Sequence, residues 1–479
     1  MTELEEKRFD PQRSILLVDI MNAIGFSNSE RGINRKYILL FNLLTDIFPF
    51  SYKKKVTIVG SMSEGIRGGI YSIDYRDQDI DFLSTATNIK LYTAGTDDIK
   101  HPLLCPNGDY DAYCYVKEDV TCPGYVKLQY SVEETNKLYL DNYSKMHENK
   151  MYLSNSRIKD CMYEEPTKPS KQASWLPVPV LFDPCPQREI NGPAHTSYTK
   201  DYRGVTAKAD KVFCIHYDMW PDSAKSFISR RKPNNWLSNS MLGNIQNQGC
   251  DLVPVGHHDS NNNDIQWRIS FPGERSLLLD LNDVQLFCYV LIKIILKENL
   301  NTSQMKVVSS FHIKHVIFWC VELCSCQWVE SNYITCLKIC LKRLIEMIKA
   351  RRIPHYIIES RNLFNSKMTV TMSTEIVDVL SKYVTTDGTN HILTLVAFDK
   401  ILKITHYRNT VLKRTAFLST IMACFKFVCV LSILICMLHL HFGVYTYHTM
   451  PQAVYASLKT FHKIGKKGKK CICITLRIC

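Results

Sequence analysis

Regular spacing of apolar residues divides the chain into a mixed front part and a helical part. Over residues 14–50, hydrophobic side chains recur three and four positions apart, which predicts one or two long helices. From Val56–Tyr130, short apolar runs between turn residues predict strands. Helical spacing then returns and predicts helices over Val284–Leu300, Ser303–Cys324 and Tyr333–Ala350. The predicted fold class is therefore α+β.

The stretch between these two parts mixes loop, strand and helix signals. Seven prolines within Pro166–Pro193 predict a loop wrapped on the surface. The apolar run in Asp210–His216 predicts a strand, closed by Trp220-Pro221. The pattern of Ala224–Ile245 is mostly typical of helix, and Trp267–Phe271 predicts a short strand or bend. No internal repeat is visible in the sequence.

Two aspartates, Asp79 and Asp81, lie two positions apart in a predicted strand that follows a Gly-Ser turn. Because side chains at i and i+2 of a strand point to the same face, both carboxylates can reach one metal site. Hard cations such as Mg²⁺ bind carboxylate oxygens together with substrate phosphates. Gly60 lets the backbone approach a phosphate, and Ser61 can donate a hydrogen bond to it. The pattern favours a nucleotidyltransferase active site over a turn followed by a solvated strand edge.

Composition and charge are those of a globular protein and leave polyanions open as partners. The chain has 479 residues, of which 46% are hydrophobic and 22% charged, with a formal net charge of +13. This charge suits nucleic acid, nucleotides or an anionic membrane, although solubility alone also explains it. The charged segment Met1–Lys7 lacks the apolar region of a signal peptide, which predicts a cytoplasmic protein. The cysteines of Cys320–Cys340 are predicted to be small core residues and not zinc ligands.

The C-terminal part changes character. Phe427–Tyr445 contains no Asp, Glu, Lys or Arg, which makes it long enough to enter a bilayer. Lysines follow it, and no acidic residue occurs from Tyr447 to the end. One interpretation is a membrane-associated segment, spanning or interfacial, whose basic tail binds anionic lipid. The other is an amphipathic helix that packs on the helical part of the chain.

The order and spacing of several blocks resemble the cyclic GMP–AMP synthase-like receptors, members of the male-abnormal (Mab-21-like) nucleotidyltransferase-fold family. The resemblance extends from the Gly-Ser turn to about Phe364. The blocks that carry it are Gly60-Ser61, Asp79-Ile80-Asp81, Asp210 to Trp220-Pro221, Leu252-Val253-Pro254, Trp267–Phe271, Leu291–Leu296 around Lys293, Ser309–Lys314 and Pro354–Phe364.

This resemblance implies a bilobal nucleotidyltransferase fold, with a mixed β-sheet catalytic lobe and a C-terminal α-helical lobe. It also implies a Mg²⁺- or Mn²⁺-dependent enzyme that makes a cyclic dinucleotide messenger from ATP and GTP in innate immunity. The implied catalytic and metal-binding residues are Asp79, Asp81 and Asp210. The implied nucleotide-binding residues are Gly60, Ser61, Arg268, Lys293, Ser310 and Phe311.

Several of these assignments have alternatives at the level of sequence. Asp201 or Asp218 replaces Asp210 as the third ligand if the strand register shifts. Arg268 suits a phosphate or a guanine edge, but also a salt bridge within the bend between the lobes. Lys293 contacts phosphate or extends to water from an apolar helix.

The two remaining nucleotide-binding candidates are equally open. Phe311 stacks on a base, an interaction worth roughly 1–3 kcal/mol, or belongs to the core. Ser310 bonds ribose or phosphate, or caps a helix. A set of basic residues is either a nucleic-acid face or an ordinary solvated surface. These basic residues are Lys208, Lys211, Arg230, Arg231 and Lys232.

The chain departs from the vertebrate DNA sensor of the family in one respect. Leu277–Phe287 continues without a His-Cys-Cys-Cys zinc insertion, so no structural zinc is expected and double-stranded RNA becomes the expected activator. A catalytically inactive scaffold or developmental regulator is the alternative function. The predicted divisions are an N-terminal helical segment (1–55), a catalytic lobe (56–235), a helical lobe (236–365), a helical extension (366–414) and the apolar segment with its basic tail (415–479).

Overall fold

The structure is a computed structural model of the whole chain. It describes residues 11–22, 26, 31–32, 35, 38, 42, 54–64, 79–93, 110, 112–130, 142–164, 183–200, 206–230, 232–233, 236–364, 366–385 and 387–397. The chain divides into two compact units. Met1–Glu165, Pro186–Tyr198 and Thr206–Thr405 form the first unit, and this unit contains nearly all the described residues and every site discussed below.

A mixed sheet of twelve strands forms the front part of the first unit. The strands are β1 (Lys54–Val59), β2 (Asp79–Ala86), β3 (Ile89–Thr93), β4 (Ala112–Glu118), β5 (Tyr125–Tyr130), β6 (Ser144–His147), β7 (Lys150–Leu153), β8 (Asp183–Asn191), β9 (Ala194–Lys200), β10 (Thr206–Tyr217), β11 (Cys250–Val253) and β12 (Gln266–Ser270). The main path of the sheet runs β1-β2-β10-β11-β12-β5-β4-β3; β6 and β7 branch from β5, and β8 and β9 branch from β10.

Shorter helices lie before and between the strands, and the longest helices follow the last strand. At their core is helix α7 (Asp283–Asn299), in which twelve side chains are buried on nearly all sides of the helix. Asn282 and Gln285 form a reciprocal capping box that fixes its start. The helices are α1 (Pro11–Met21), α2 (Gly60–Ser63), α3 (Asn155–Glu164), α4 (Lys225–Ser229), α5 (Asn239–Asn247), α6 (Gly273–Asp280), α7 (Asp283–Asn299), α8 (Thr302–Val307), α9 (Ser310–Leu323), α10 (Tyr333–Lys349), α11 (Val370–Ser381) and α12 (Gly388–Ala397).

This architecture confirms the predicted α+β class, with strands first and helices after them. Two local predictions were wrong. Within the proline-rich stretch, Asp183–Asn191 is strand β8 and not loop. Among the described strands β8 pairs with β9 alone, so it lies at an edge of the sheet, where prolines such as Pro184 and Pro186 are tolerated. The predicted helix Ser303–Cys324 breaks in two, since Val308 is extended between α8 and α9.

The predicted membrane segment, residues 427–445, lies outside the described residues, as does the basic tail. Among the residues that the structure describes, no helix is long and apolar enough to cross a bilayer. The membrane interpretation stays a prediction.

Candidate active site

The sheet brings two of the three predicted catalytic aspartates side by side. β2 and β10 are parallel neighbours, and their register pairs Asp81 directly with Asp210. Residues paired in this way lie on the same face of a sheet. Asp79 takes the register position opposite Lys208, two residues before Asp81, and its side chain is outside the described part of the structure. The strand order therefore joins positions that are more than a hundred residues apart in the sequence.

The carboxylate of Asp210 is held by two neighbours that the sequence did not indicate. Thr196 Oγ1 donates to Asp210 Oδ1 at 2.6 Å. Lys208 Nζ donates to Asp210 Oδ2 at 2.8 Å, two positions earlier on the same strand. The side chain of Asp210 is 17% exposed, so the carboxylate is largely enclosed by these partners.

Of the alternative third ligands, Asp218 lies past the end of β10 and points to other partners. It forms ion pairs with Lys90 at 3.5 Å and with His216 at 3.4 Å. Asp201 lies outside the described residues. The register thus favours Asp210 over Asp218 as the partner of Asp81.

Gly60 begins a one-turn helix, α2, that lies directly against Asp81. Its backbone has φ +67°, a left-handed conformation that glycine adopts without strain. A Cβ atom at this position would lie 2.0 Å from Asp81 Oδ2, so no other residue fits without displacing the carboxylate. Ser63 Oγ donates to the Gly60 carbonyl at 3.0 Å and closes the turn.

Lys293 connects this turn to the helical part. Its Nζ donates to Ser61 Oγ at 3.1 Å. Burial lowers the pKa of Lys293, while the nearby carboxylates of Glu64 and Asp81 act in the opposite direction. The structure therefore places a partly desolvated ammonium group beside the Gly-Ser turn, where the sequence predicted a phosphate contact.

A buried ion pair next to this contact escaped sequence analysis. Lys314, on α9, bonds the carboxylate of Glu64, which lies just after the Gly-Ser turn. The Lys314 and Glu64 side chains are only 12% and 6% exposed. Burial disfavours the charge on Lys314, but Glu64, Tyr289 and Glu274 together outweigh this effect and raise its pKa. A lysine inside an apolar helical run was the available signal, because such a residue needs a carboxylate partner.

Ser310 and Phe311 lie at the start of α9. Ser310 hydrogen-bonds the hydroxyl of Tyr289, which is buried on α7. The ring of Phe311 is 37% exposed and is therefore not a core residue. It makes an edge contact with His315 at a centroid distance of 4.6 Å, which leaves part of the ring open for stacking.

Arg268 lies on β12, paired in register with Tyr125 of β5. Burial lowers its pKa, and Tyr125 and Glu274 counter that effect. Glu274 is thus a described carboxylate that acts on this guanidinium, and both alternatives for Arg268, a ligand contact and a salt bridge, stay predictions. A guanidinium fork offers several donors, which suit a phosphate or a base edge.

Two family models match consecutive parts of this chain, one over most strands of the sheet and one over the helices that follow. Residues 98–280 match the Mab-21 protein nucleotidyltransferase domain. Residues 286–382 match the Mab-21 protein HhH/H2TH-like domain. The chain belongs to the Mab-21 family. Its front part is thus a Mab-21 nucleotidyltransferase domain, and the helical part is the C-terminal domain of that family; Gly60, Asp79 and Asp81 precede the matched residues.

One curated relative is cyclic GMP-AMP synthase of Mus musculus. It is 23% identical to this chain over 186 residues, which are 35% of this chain and 36% of the relative. The chain therefore matches about a third of that relative's length. This likeness is consistent with a cyclic GMP–AMP synthase-like member of the Mab-21 family.

A second group of possible metal ligands lies away from the aspartates of this Mab-21 domain. Donor atoms of Glu274, His315 and His355 lie within 4.8 Å of one another, and all three residues are buried. His355 Nε2 is 3.1 Å from Glu274 Oε1, and His315 Nε2 is 3.9 Å from Oε2. Neither Nε2 atom has a hydrogen bond of good geometry.

The other ring nitrogens of this group oppose metal binding. His315 Nδ1 accepts from the Tyr356 amide at 2.9 Å, and His355 Nδ1 accepts from the amides of Ile357 and Ile358, both at 3.1 Å. A neutral imidazole that accepts at Nδ1 carries its proton on Nε2. Metal ligation through Nε2 needs the opposite tautomer. The donor set therefore does not fit a metal and forms a buried polar contact around Glu274.

Arg230 and Lys232 do not belong to an exposed basic face, which corrects the sequence-based interpretation. Arg230 forms a two-pronged ion pair with buried Glu322, with bonds of 3.1 and 3.0 Å. Its guanidinium also lies 4.5 Å from the ring centroids of Trp319 and Tyr356. Lys232 is 9% exposed and donates to the Phe227 carbonyl at 2.6 Å. Both cations stabilise the interior.

Proposed function

We propose that this protein is a divalent-cation-dependent nucleotidyltransferase that joins two nucleoside triphosphates into a cyclic dinucleotide after it senses nucleic acid. The observation that carries the proposal is the in-register pairing of Asp81 and Asp210, with the Gly60 turn packed against Asp81. The Mab-21 nucleotidyltransferase domain and the likeness to cyclic GMP-AMP synthase support it.

The aspartates offer the hard oxygen ligands that Mg²⁺ or Mn²⁺ prefers. Asp81 and Asp210, with Asp79 beside them, would hold such ions, which activate an attacking hydroxyl and neutralise a leaving pyrophosphate when bound. The residues of the chain itself bind and orient the substrate. The Gly60 backbone allows close approach of a phosphate, and the Ser61 hydroxyl donates to it.

Cations beside the turn support a triphosphate as the ligand. Lys314, Lys293 and Arg275 all interact with the carboxylate of Glu64. Asp81 also acts on Lys293, which places this ammonium group between the turn and the aspartate, where it can pair with a bound polyanion. Phe311 supplies a partly exposed ring for a base.

A second candidate, a catalytically inactive scaffold, is favoured by one specific observation. Lys208 donates to Asp210 at 2.8 Å and so neutralises a carboxylate that an active enzyme gives to a metal ion. In a scaffold this pair is permanent. In an enzyme, the ammonium group of Lys208 gives way when a cation binds.

We further propose double-stranded RNA as the activator and signalling in innate immunity as the context. The support is the continuous segment Leu277–Phe287, which carries no zinc insertion of the kind found in the DNA sensor. The proposed location is cytoplasmic, with residues 427–445 and the basic tail holding the protein on anionic membranes.

The decisive experiment incubates purified full-length protein with labelled ATP and GTP, Mg²⁺ or Mn²⁺, and a panel of double-stranded RNA and DNA. We expect a cyclic dinucleotide that appears with RNA and is absent from Asp81→Asn and Asp210→Asn. Asp218→Asn is the matched control, because this aspartate lies beyond the residues of β10 that pair with β2. This variant should retain activity. Folded wild-type protein that binds Mn²⁺ and nucleotide but never yields product would favour the scaffold.

A further inference from the structure

Two arginines from distant parts of the chain meet at the start of the helical part. Arg361 reaches the strand that carries Arg268: its Nη1 donates to the Ile269 carbonyl at 3.3 Å. Its guanidinium carbon lies 5.5 Å from the ring centroid of Tyr125, the register partner of Arg268. Arg361 is 9% exposed. The two guanidinium groups are thus neighbours in a largely desolvated place.

The backbone of the neighbouring turn makes room for Arg361. Gly124 has φ +84°, and a Cβ atom there would lie 2.6 Å from Arg361 Cδ. The aliphatic part of Arg361 therefore packs against bare backbone, and the guanidinium is held beside β5 and β12. The Arg361 side chain is therefore packed in place and does not extend freely into solvent.

The charges at this place do not balance. Glu274 is the carboxylate that acts on both Arg268 and Arg361. His315 and His355, which face Glu274, stay neutral because burial lowers the pKa of each well below its usual range. Burial and the charge of Arg268 lower the pKa of Arg361 to about 10, which still leaves it charged near pH 7. Among the described residues, two positive charges thus share the carboxylate of Glu274, and the phenol of Tyr125 is the other group that acts on both arginines.

We propose that Arg361 and Arg268 together form an anion-binding site, and that its ligand is a phosphate group of a bound nucleotide. A buried surplus of positive charge is unfavourable until an anion pairs with it. A guanidinium fork matches the geometry of phosphate oxygens, and a pair of forks favours phosphate over the uncharged edge of a base.

The identity of the ligand rests on the proposed function, whereas the site itself does not. The exposed ring of Phe311 lies near it, since Phe311 contacts His315 and is 6.2 Å from His355 between ring centroids. A nucleotide with its base on Phe311 has its phosphate or sugar within the same region. Arg361 then adds a selectivity for phosphate that Arg268 alone does not provide.

The test measures thermal unfolding of the full chain with pyrophosphate, in the absence of divalent cations and at constant ionic strength. The variants are Arg361→Gln, which removes the charge, and Arg361→Lys, which keeps it. Exposed Arg343→Gln on α10 is the matched control. All are repeated in a Lys293→Met background, which separates this site from the Gly-Ser turn.

We expect Arg361→Gln to need about 10- to 100-fold more pyrophosphate for the same stabilisation, the loss typical of one charge-assisted hydrogen bond. Arg361→Lys should be intermediate and Arg343→Gln unchanged. Without anion, Arg361→Gln should unfold at the wild-type temperature or above it, because the surplus charge has gone. If Arg361→Gln does not fold, Arg268→Gln carries the same test.

Two results would overturn the inference. One is that pyrophosphate stabilises Arg361→Gln as much as it stabilises the wild type, whether or not the variant unfolds at a lower temperature. Arg361 would then be a purely structural residue. The other is equal stabilisation by guanosine and GTP that is independent of Arg361, which marks a base-edge site. If stabilisation by pyrophosphate depends on Arg361 but the protein makes no dinucleotide, the anion-binding site is supported and the proposed enzyme activity is rejected.

Discussion

The ammonium nitrogen of Lys293 lies 3.1 Å from the hydroxyl oxygen of Ser61, and this hydrogen bond ties helix α7 to the turn beside Asp81. The two residues are far apart in the sequence, yet both were predicted to contact phosphate. Their contact means that a ligand at the turn meets a hydroxyl and a cation at once. It also connects α7 to the turn that packs against Asp81 of β2.

Replacing Lys293 should therefore weaken nucleotide binding more than folding. Lys293→Met removes a charge-assisted contact, so we expect about 10- to 100-fold weaker affinity for a non-hydrolysable triphosphate. Isothermal titration measures this affinity. Exposed Lys297→Met, one helical turn further along α7, is the control and should bind as the wild type does. Equal affinity in the two variants would remove Lys293 from the site.

Gly60 offers a prediction with a close internal control. Gly60→Ala and Gly192→Ala both place alanine at a left-handed φ, +67° and +61°, which costs about 1–2 kcal/mol of stability. Only at Gly60 does the new Cβ meet Asp81 Oδ2, at 2.0 Å, whereas nothing lies within 4 Å of it at Gly192. We expect similar modest losses in urea unfolding but lost Mn²⁺ binding in Gly60→Ala alone. Normal Mn²⁺ binding by Gly60→Ala would contradict the proposed role of Asp81.

The sequence predicted the elements of this site better than their long-range contacts. The strand around Asp81 and the strand Asp210–His216 follow from local alternation and flanking turns, and both exist. The pairing of Glu64 with Lys314, and of Arg361 with the strand of Arg268, joins positions that local patterns never compare. Prolines misled the prediction for Asp183–Asn191, because an edge strand tolerates them.

The buried ion pair between Glu64 and Lys314 should be sensitive to removal of either partner. Glu64→Gln leaves the buried ammonium group of Lys314 without its ion-pair partner and should cost about 3–5 kcal/mol of unfolding free energy. Lys314→Met leaves the Glu64 carboxylate with Lys293 and Arg275 nearby and should cost less. The double variant should lose less than the sum of the two, which a double-mutant cycle in urea measures. Exposed Asp222→Asn, whose pair with Lys225 is 80% and 71% exposed, should leave the urea midpoint unchanged. Additive losses would mean that Glu64 and Lys314 do not interact.

Stability should fall on acidification because of three buried histidines. Burial lowers the pKa of His312 to about 4, and the pKa values of His315 and His355 well below the usual 6.5. The unfolded chain then binds more protons than the folded one below pH 6.5, so stability is full above that pH and falls as the pH approaches 4. Each such histidine contributes up to about 1.4 kcal/mol per pH unit.

Urea midpoints at pH 7.5, 6.0 and 5.0 measure this slope. His355→Asn keeps a side-chain acceptor for the amides of Ile357 and Ile358 but does not titrate, so its slope should be smaller. His258→Asn, at an exposed position, should keep the wild-type slope. A wild-type slope in His355→Asn would mean that His355 is protonated in the folded protein.

The contact between Lys208 and Asp210 separates an enzyme from a scaffold. Lys208 Nζ, 2.8 Å from Asp210 Oδ2, competes with any cation for that oxygen. In an enzyme, Lys208→Met should bind Mn²⁺ about tenfold more tightly than the wild type, since no charge-assisted hydrogen bond has to break. Free Mn²⁺, followed by its electron paramagnetic resonance signal, measures the affinity without any need for turnover.

Lys211→Met changes an exposed lysine one position after Asp210 and should leave the affinity for Mn²⁺ as it is. Asp210→Asn should abolish binding in either background, and if neither wild type nor Lys208→Met takes up Mn²⁺, the carboxylates are not a metal site.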